Sequence, residues 1–394
     1  MIEFSELPGW AIAALPIIAL LGLYLLSSKK KNSSHINHFS KEYFKGLNHL
    51  LNDEQDKALD IFVKLVETDW DTIDTHFALG KIYRKNGEID KAIKIHQGLI
   101  ARPSLPERYR NKVLLELGYD YLGAGWFDRA EGLFKEVLIH DPKSEIALHN
   151  LILIYQQEKD WHKAIGTAEN LFSENPAKVG PMISQYYCEL ADLAKGKGDI
   201  NQVEHNANQS LRYDSSCVRA TILLADLAIN AGDYAKAKEL LMHVEQQDAD
   251  FLPIIMDRLV ECHHQLDEKE DLLDYLDDLE SRLEELPLIE SHARVIERYK
   301  DKDAAIKYVL TRLKQSPSLQ GMTQLLRYRD TETDNESYTM MLGLKSAVDV
   351  MWKDQSAYQC RQCGFKSNTL YWMCPSCHNW GSVKPFVASP GVDA

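Results

Sequence analysis

Between residues 111 and 142, six side chains fall at offsets that suit one kind of helical hairpin. Leu117 and Gly118 are followed by Tyr121, Ala130, Phe134 and Pro142. The same frame returns upstream as Leu79, Gly80, Tyr83 and Ala92, and downstream as Leu151, Tyr155, Ala164 and Pro176. Weaker copies carry Ala225 and Ala237, then Ala293, Ala305 and Pro317, and an early copy carries Gly46, Ala58 and Phe62. Two helices joined by a short turn satisfy this pattern. Small residues on facing helices allow close approach, and larger ones fill the space beside them. Turns are marked by Asn86-Gly87-Glu88, Gly123-Ala124-Gly125, Lys197-Gly198-Asp199 and Ala231-Gly232-Asp233. One such hairpin cannot bury its apolar face alone, whereas a stack can, so the frame dictates an array rather than a single globular core.

The offsets are those of the tetratricopeptide repeat, with the glycine at position 8, tyrosine at 11, alanine at 20, phenylalanine at 24 and proline at 32. Starts fall at Phe39, Ile73, Asn111, Glu145, Ser184, Val218, Leu252 and Leu286. Two steps exceed the usual period; one contains Arg102-Pro103-Ser104-Leu105-Pro106 and the other runs from Pro176 to Pro181. The repeat at Leu252 fits least well, with Leu259, Cys262 and Asp271 at its signature positions. Stacked hairpins present their first helices along a groove, and such arrays act by contact. No phosphate-binding glycine loop, nucleophile elbow or His-Glu-x-x-His helix occurs, so no enzymatic activity is expected. His263 and His264 are neighbours that a helix points about 100° apart, which keeps them from sharing a metal. The acid-rich stretch from Asp267 to Glu285 reads as a solvated face. A net charge of −14 argues against nucleic-acid phosphates along the array.

The C-terminal segment asks for a metal. Cys360-Arg-Gln-Cys363 and Cys374-Pro-Ser-Cys377 can each fold into a knuckle with two thiolates aimed at one ion. Cys360, Cys363, Cys374 and Cys377 together supply four sulfur ligands, a set that zinc and mononuclear iron both accept. Gly364 supplies the backbone freedom that the first knuckle needs. A fully protein-filled coordination sphere favours a structural or electron-transfer role. Phe365, Tyr371, Trp372 and Trp380 are expected to pack around the site. The module is too short to bury a core, so metal binding supplies its folding energy. Cys188, Cys217 and Cys262 are scattered singly and read as packed core thiols.

At the other end, Leu7 to Ser28 is uncharged over 22 residues, enough for about 33 Å of helix and for a membrane crossing. Glu3 and Glu6 precede it and Lys29, Lys30 and Lys31 follow it. That asymmetry predicts an uncleaved anchor with the short N-terminus outside and the rest of the chain in the cytoplasm. A reducing compartment in turn disfavours disulfides as the role of the paired cysteines.

Anchor, repeat array and terminal cysteine knuckles, in that order, resemble the lipopolysaccharide assembly protein B family of Gram-negative inner membranes. The residues that carry the resemblance are Tyr358-Gln-Cys360-Arg-Gln-Cys363-Gly364-Phe365, Leu370-Tyr371-Trp372-Met-Cys374-Pro375-Ser-Cys377, Trp380-Gly381, Lys384-Pro385, and earlier Gly46-Leu47-Asn48 with Leu50-Leu51-Asn52. The resemblance implies a regulator rather than an enzyme. It implies work beside a membrane-bound AAA+ metalloprotease, promoting degradation of the lipid A deacetylase that acts on UDP-3-O-acyl-N-acetylglucosamine. Other lipopolysaccharide assembly proteins are further partners it suggests. It also implies a rubredoxin-like module in which iron is favoured over zinc at Cys360, Cys363, Cys374 and Cys377.

The expected fold is therefore all-α: a tetratricopeptide-repeat superhelical solenoid with an N-terminal transmembrane helix and a small C-terminal rubredoxin-like or zinc-ribbon module. Residues 1–28 form the anchor, 29–38 a juxtamembrane linker, 39–317 eight repeats, 318–355 capping helices and 356–389 the metal module. Within the caps, Met340, Met341, Leu344, Ala347, Val348 and Met351 recur at helical spacing and read as core. The expected location is the inner membrane, single-pass, with a periplasmic N-terminus and the bulk of the chain on the cytoplasmic side. Competing functions are a membrane-tethered scaffold for an envelope biosynthesis complex, and electron transfer by the metal site, for which the chain offers no flavin or nicotinamide motif. A zinc-ribbon contact with nucleic acid is opposed by the weak charge of the module, where only Arg361, Lys366 and Lys384 are basic.

Overall fold

The computed structural model describes residues 41–49, 51–52, 54–68, 73–103, 105–173, 175–283, 288–315, 318–329, 346 and 356–385. The anchor expected over Leu7–Ser28, the linker 29–38, the repeat starts at Phe39 and Leu286, the capping stripe Met340, Met341, Leu344, Ala347, Val348 and Met351, and residues 386–389 lie outside them. Among the described residues no helix is long and apolar enough to cross a membrane.

The chain divides into two compact units, 1–157 and 158–394. In the first, a helix over 41–49 is followed by Gln55–Thr68, Ile73–Lys85, Ile89–Ile100, Glu107–Gly123 and Phe127–His140, and Glu145–Glu158 reaches the boundary. From Gln55–Thr68 to Phe127–His140, consecutive helices pack on one another. Ala58, Phe62, Leu65, Leu79 and Ile82 form one buried cluster, and Phe77, Leu99 and Val113 form the next. In the second unit come Trp161–Phe172, Pro176–Lys197, Ile200–Tyr213, Val218–Asn230 and Tyr234–Asp248. A 3₁₀ turn over Ala249–Phe251 leads to Leu252–Gln265, Lys269–Arg282, Ile289–Tyr299, Lys302–Gln315 and Leu319–Arg329. Its largest cluster runs from Val218 and Leu241 through Leu252, Met256 and Leu259 to Leu272 and Leu276. The result is a tetratricopeptide-like helical solenoid, as the repeat frame requires.

The turns show why the frame holds. Gly87, Gly125, Gly198 and Gly232 take positive φ of 74–79° at the same repeat position, a conformation that costs glycine least. Lys159 takes that conformation in the fourth hairpin (φ 58°). Asp160, Asp199 and Asp233 then cap the second helices, their side chains accepting from the N–H groups of Lys163, Gln202 and Lys236.

Two details depart from a rigid frame. The residues Pro176–Pro181, which lengthen one step of the frame, extend a single helix, Pro176–Lys197, capped by the Asn175 side chain. Gly180 in this extension lies so close to the next helix that a Cβ would meet the Tyr213 carbonyl oxygen at 2.6 Å. In the seventh hairpin the turn comes one residue late, at Asp267 (φ 59°). The frame through Leu252 assigns Asp271 to the buried position of the second helix, but Leu272 and Leu276 occupy that face, both fully buried.

Candidate metal centre

The terminal module is built on three short antiparallel strands, β1 (Tyr358–Cys360), β2 (Lys366–Ser367) and β3 (Val383–Pro385), in the order β2-β1-β3. β1 pairs Tyr358 with Ser367 and with Pro385, so both partners share one strand. Each cysteine pair closes a knuckle of the same construction. The Gly364 N–H donates to the Cys360 carbonyl at 3.0 Å and the Cys360 N–H to the Phe365 carbonyl at 2.8 Å. In the second knuckle the His378 N–H donates to the Cys374 carbonyl at 2.9 Å and the Cys374 N–H to the Asn379 carbonyl at 3.0 Å. The residue after each pair takes positive φ: Gly364 at 76° and His378 at 57°. Sequence reasoning singled out Gly364 but not His378, because only glycine advertises that conformation.

The four thiols of Cys360, Cys363, Cys374 and Cys377 converge, all within 4.8 Å of one another. Cys360 Sγ lies 3.7 Å from Cys377 Sγ, and Cys363 Sγ lies 3.7 Å from Cys374 Sγ. A disulfide needs about 2.05 Å. A tetrahedral ion with bonds of about 2.3 Å needs ligand sulfurs roughly 3.8 Å apart. The observed edges fit the ion, and they run between knuckles rather than within them, so one ion would tie the two halves together. Cys360 and Cys374 are buried, Cys377 is half-buried and Cys363 is exposed, placing the centre at the edge of the module. These residues cluster to bind one metal ion in a zinc-ribbon, rubredoxin-like module.

Polar groups around the sulfurs tune them. Burial raises the Cys360 thiol, but the Ser382 hydroxyl at 3.3 Å and the amides of Cys363 and Gln362 outweigh it and bring it down to about 6. Burial pushes the Cys374 thiol up to about 11. The Asn379 backbone and side chain lower the Cys377 thiol, its Nδ2 donating to Sγ at 3.4 Å. Such partners orient the ligands and set the electronics of a bound metal. Ser382 and Asn379 were not legible beforehand, since neither has a fixed place in a Cys-x-x-Cys spacing.

The aromatic residues divide into two pairs. Phe365 and Tyr371 meet edge-on inside the module, with centroids 6.4 Å apart. Trp372 and Trp380 instead face the helical repeats of the same unit. Trp372 stacks on Phe251 at 5.4 Å, and Trp380 meets Trp161 and Tyr186 edge-on at 6.3 and 6.0 Å. Lys384 pairs with Asp248, and Arg361 Nη2 lies 3.6 Å from Asp250. Cys188, Cys217 and Cys262 are all buried in the repeats, but only Cys262 stands apart: Cys188 and Cys217, scattered in sequence, bring their Sγ atoms to 3.7 Å.

Comparison with known proteins agrees with these features. Residues 358–385 match the rubredoxin metal binding domain model and residues 75–107 match the tetratricopeptide repeat model. Lipopolysaccharide assembly protein B of Escherichia coli (strain K12) is 31% identical over 384 residues, covering 96% of this chain and 98% of the relative. The chain belongs to the lipopolysaccharide assembly protein B family. The namesake from Haemophilus influenzae is 30% identical over 94% of this chain and 96% of its own length. Membership thus spans repeats and metal module together.

Proposed function

We propose that the chain regulates lipopolysaccharide synthesis as an adaptor anchored in the inner membrane, acting by contact and not by catalysis. The observation that carries this reading is the relationship to lipopolysaccharide assembly protein B over 96% of the chain. The family resemblance extends the proposal to partners: a membrane-bound AAA+ metalloprotease and the lipid A deacetylase whose degradation it promotes. The anchor over residues 7–28 would hold the array at the cytoplasmic face, beside a protease that is also membrane-bound, with a periplasmic N-terminus. Confinement raises effective concentration, so weak individual contacts suffice. The centre would hold one metal through Cys360, Cys363, Cys374 and Cys377: iron by family resemblance, in a four-thiolate set that zinc also accepts. When bound, the metal supplies cross-linking of the two knuckles.

The test is the cellular half-life of the lipid A deacetylase with this chain, without it, and with Cys374→Ser and Cys377→Ser. The adaptor reading expects a longer half-life on loss of the chain and the same lengthening in the cysteine variants. A half-life that does not move when the chain is removed sinks the proposal.

A further inference from the structure

Cys188 and Cys217, 29 residues apart in sequence, bring their Sγ atoms to 3.7 Å in a buried cluster of the second unit. Cys188 lies on Pro176–Lys197, and Cys217 is the residue before Val218–Asn230, so the contact joins the first helices of two successive hairpins. Two sulfurs alone do not make an ion site. Among the described residues only Cys360, Cys363, Cys374 and Cys377 gather three or more ligand atoms at one point. A disulfide asks less. Its bond is about 2.05 Å long, so the two sulfurs need to close by about 1.7 Å.

The surroundings are not those of inert packed thiols. The hydroxyls of Ser184 and Ser210, both fully buried, lie 2.7 Å apart, and Ser210 Oγ is 3.3 Å from Cys188 Sγ. Gln185 Nε2 donates to Cys217 Sγ at 3.5 Å, and Gln185 Oε1 accepts from Arg219 Nη1 at 3.5 Å. Cys262 shows the contrast: it lies in an apolar cluster, and burial pushes its thiol up to about 11. At Cys217 the bond from Cys188, with those from Ser184, Ser210 and the Ala220 N–H, outweighs burial and brings the thiol down to about 6. Burial raises Cys188, which keeps its proton. The pair thus divides into a nucleophilic thiolate and a thiol beside it, the asymmetry that thiol–disulfide chemistry uses. Cys217 is also the member nearer solvent, since Ser215 and Ser216 just before it are exposed.

We infer that Cys188 and Cys217 form a redox modification site, a dithiol that a hydroperoxide converts to a disulfide tying the two hairpins together. The Cys217 thiolate attacks the peroxide O–O bond. An S–O bond forms, the O–O bond breaks, and an alcohol leaves, or water where the oxidant is hydrogen peroxide. Cys217 is then a sulfenic acid, oxidised by two electrons, and the peroxide is reduced by the same two. Cys188 Sγ next attacks Cys217 Sγ. The S–S bond forms, the S–O bond breaks, and the hydroxide departs as water with the Cys188 proton. Small thiols of the glutathione class return the disulfide to the dithiol by exchange, so the tie marks oxidising conditions.

The test exposes the full chain to hydrogen peroxide, blocks the remaining thiols under denaturing conditions and maps every cysteine by peptide mass, with metal content measured in parallel. A linked Cys188–Cys217 peptide should accumulate roughly ten-fold faster than any change at Cys262, and dithiothreitol should remove it. Cys188→Ser should stop the reaction at a Cys217 sulfenic acid, captured by dimedone, and Cys217→Ser should leave Cys188 reduced. The map of the parent chain decides the matter without the variants if either fails to fold. Cys188 and Cys217 both remaining free after Cys360, Cys363, Cys374 and Cys377 have oxidised overturns the inference. Oxidation of Cys217 and Cys262 at equal rates also overturns it, because general unfolding would then account for the reaction.

Discussion

Gly118 lies on the first helix of its hairpin, where an added Cβ would sit 2.7 Å from the ring of the fully buried Phe134. Gly46 faces Phe62 at 2.8 Å and Gly80 faces His96 at 2.4 Å in the same way. The frame marked Gly118 and Gly46 as small and Phe134 and Phe62 as large, but not that position 24 packs directly on position 8 of its own hairpin. Nor did the frame mark His96, which fills that position in its hairpin with its Nδ1 2.5 Å from Asp120 Oδ2. Gly132 and Gly166 are helical glycines with open space where a Cβ would go. These sites should respond oppositely to one methyl group. Alanine gains about 1 kcal/mol over glycine in a helix, while overpacking a filled core costs about 1–3 kcal/mol. Gly132→Ala is expected to stabilise by about 0.5–1 kcal/mol, and Gly118→Ala to destabilise by about 1 kcal/mol net. Urea unfolding midpoints check both. A stabilising Gly118→Ala would show that Phe134 yields easily and that close approach does not explain the glycine.

Among elements, helix existence and order were legible from the repeat frame, whereas the seventh hairpin was not. A period fitted through Leu252 cannot register a turn delayed by one residue, and Asp267 carries no glycine to mark it. The buried Leu272 reveals the shift only once the helix is in place. Charged contacts between hairpins were likewise invisible to periodicity. Glu116 on the helix Glu107–Gly123 meets Lys81 Nζ at 2.9 Å and Arg84 Nη2 at 2.8 Å, both on Ile73–Lys85. Burial works to raise the Glu116 carboxyl, but the two cations overcome it and hold it below its ordinary value of 4.5. A carboxylate with a lowered pKa contributes stability above its unfolded value, and that contribution disappears as pH falls through the folded one. Glu116→Gln should therefore cost about 1–3 kcal/mol at pH 7, and the difference from the parent should shrink once the pH drops below about 4. Urea midpoints of both chains at neutral and acid pH measure this. An undiminished difference in acid would mean that lost packing, not charge, accounts for the effect.

At the scale of the molecule, the cysteine spacing disclosed a metal module but not its seat. Trp380 and Trp161 are far apart in sequence and share no motif, so the aromatic residues read as packing around the sulfurs, while Trp372 and Trp380 in fact meet the repeats. The proposed anchor acts on a different quantity, the concentration at which the array meets its partners. If the array contributes only contact, removing residues 1–28 should leave it folded and weaken it through dilution. Tethering raises local concentration to the millimolar range for short flexible linkers, well above that of a freely diffusing regulator. The anchorless chain should thus keep the helical circular dichroism of the parent. At native expression it should leave the lipid A deacetylase nearly as long-lived as when the whole chain is missing. Raising its expression should shorten that half-life again, because added protein substitutes for confinement. Full activity of the anchorless chain at native expression would show that its contacts are strong enough without the membrane, and the adaptor would then have to work by affinity alone. Failure at every expression level, with the fold intact, would instead assign the first 28 residues a direct contact with a membrane partner.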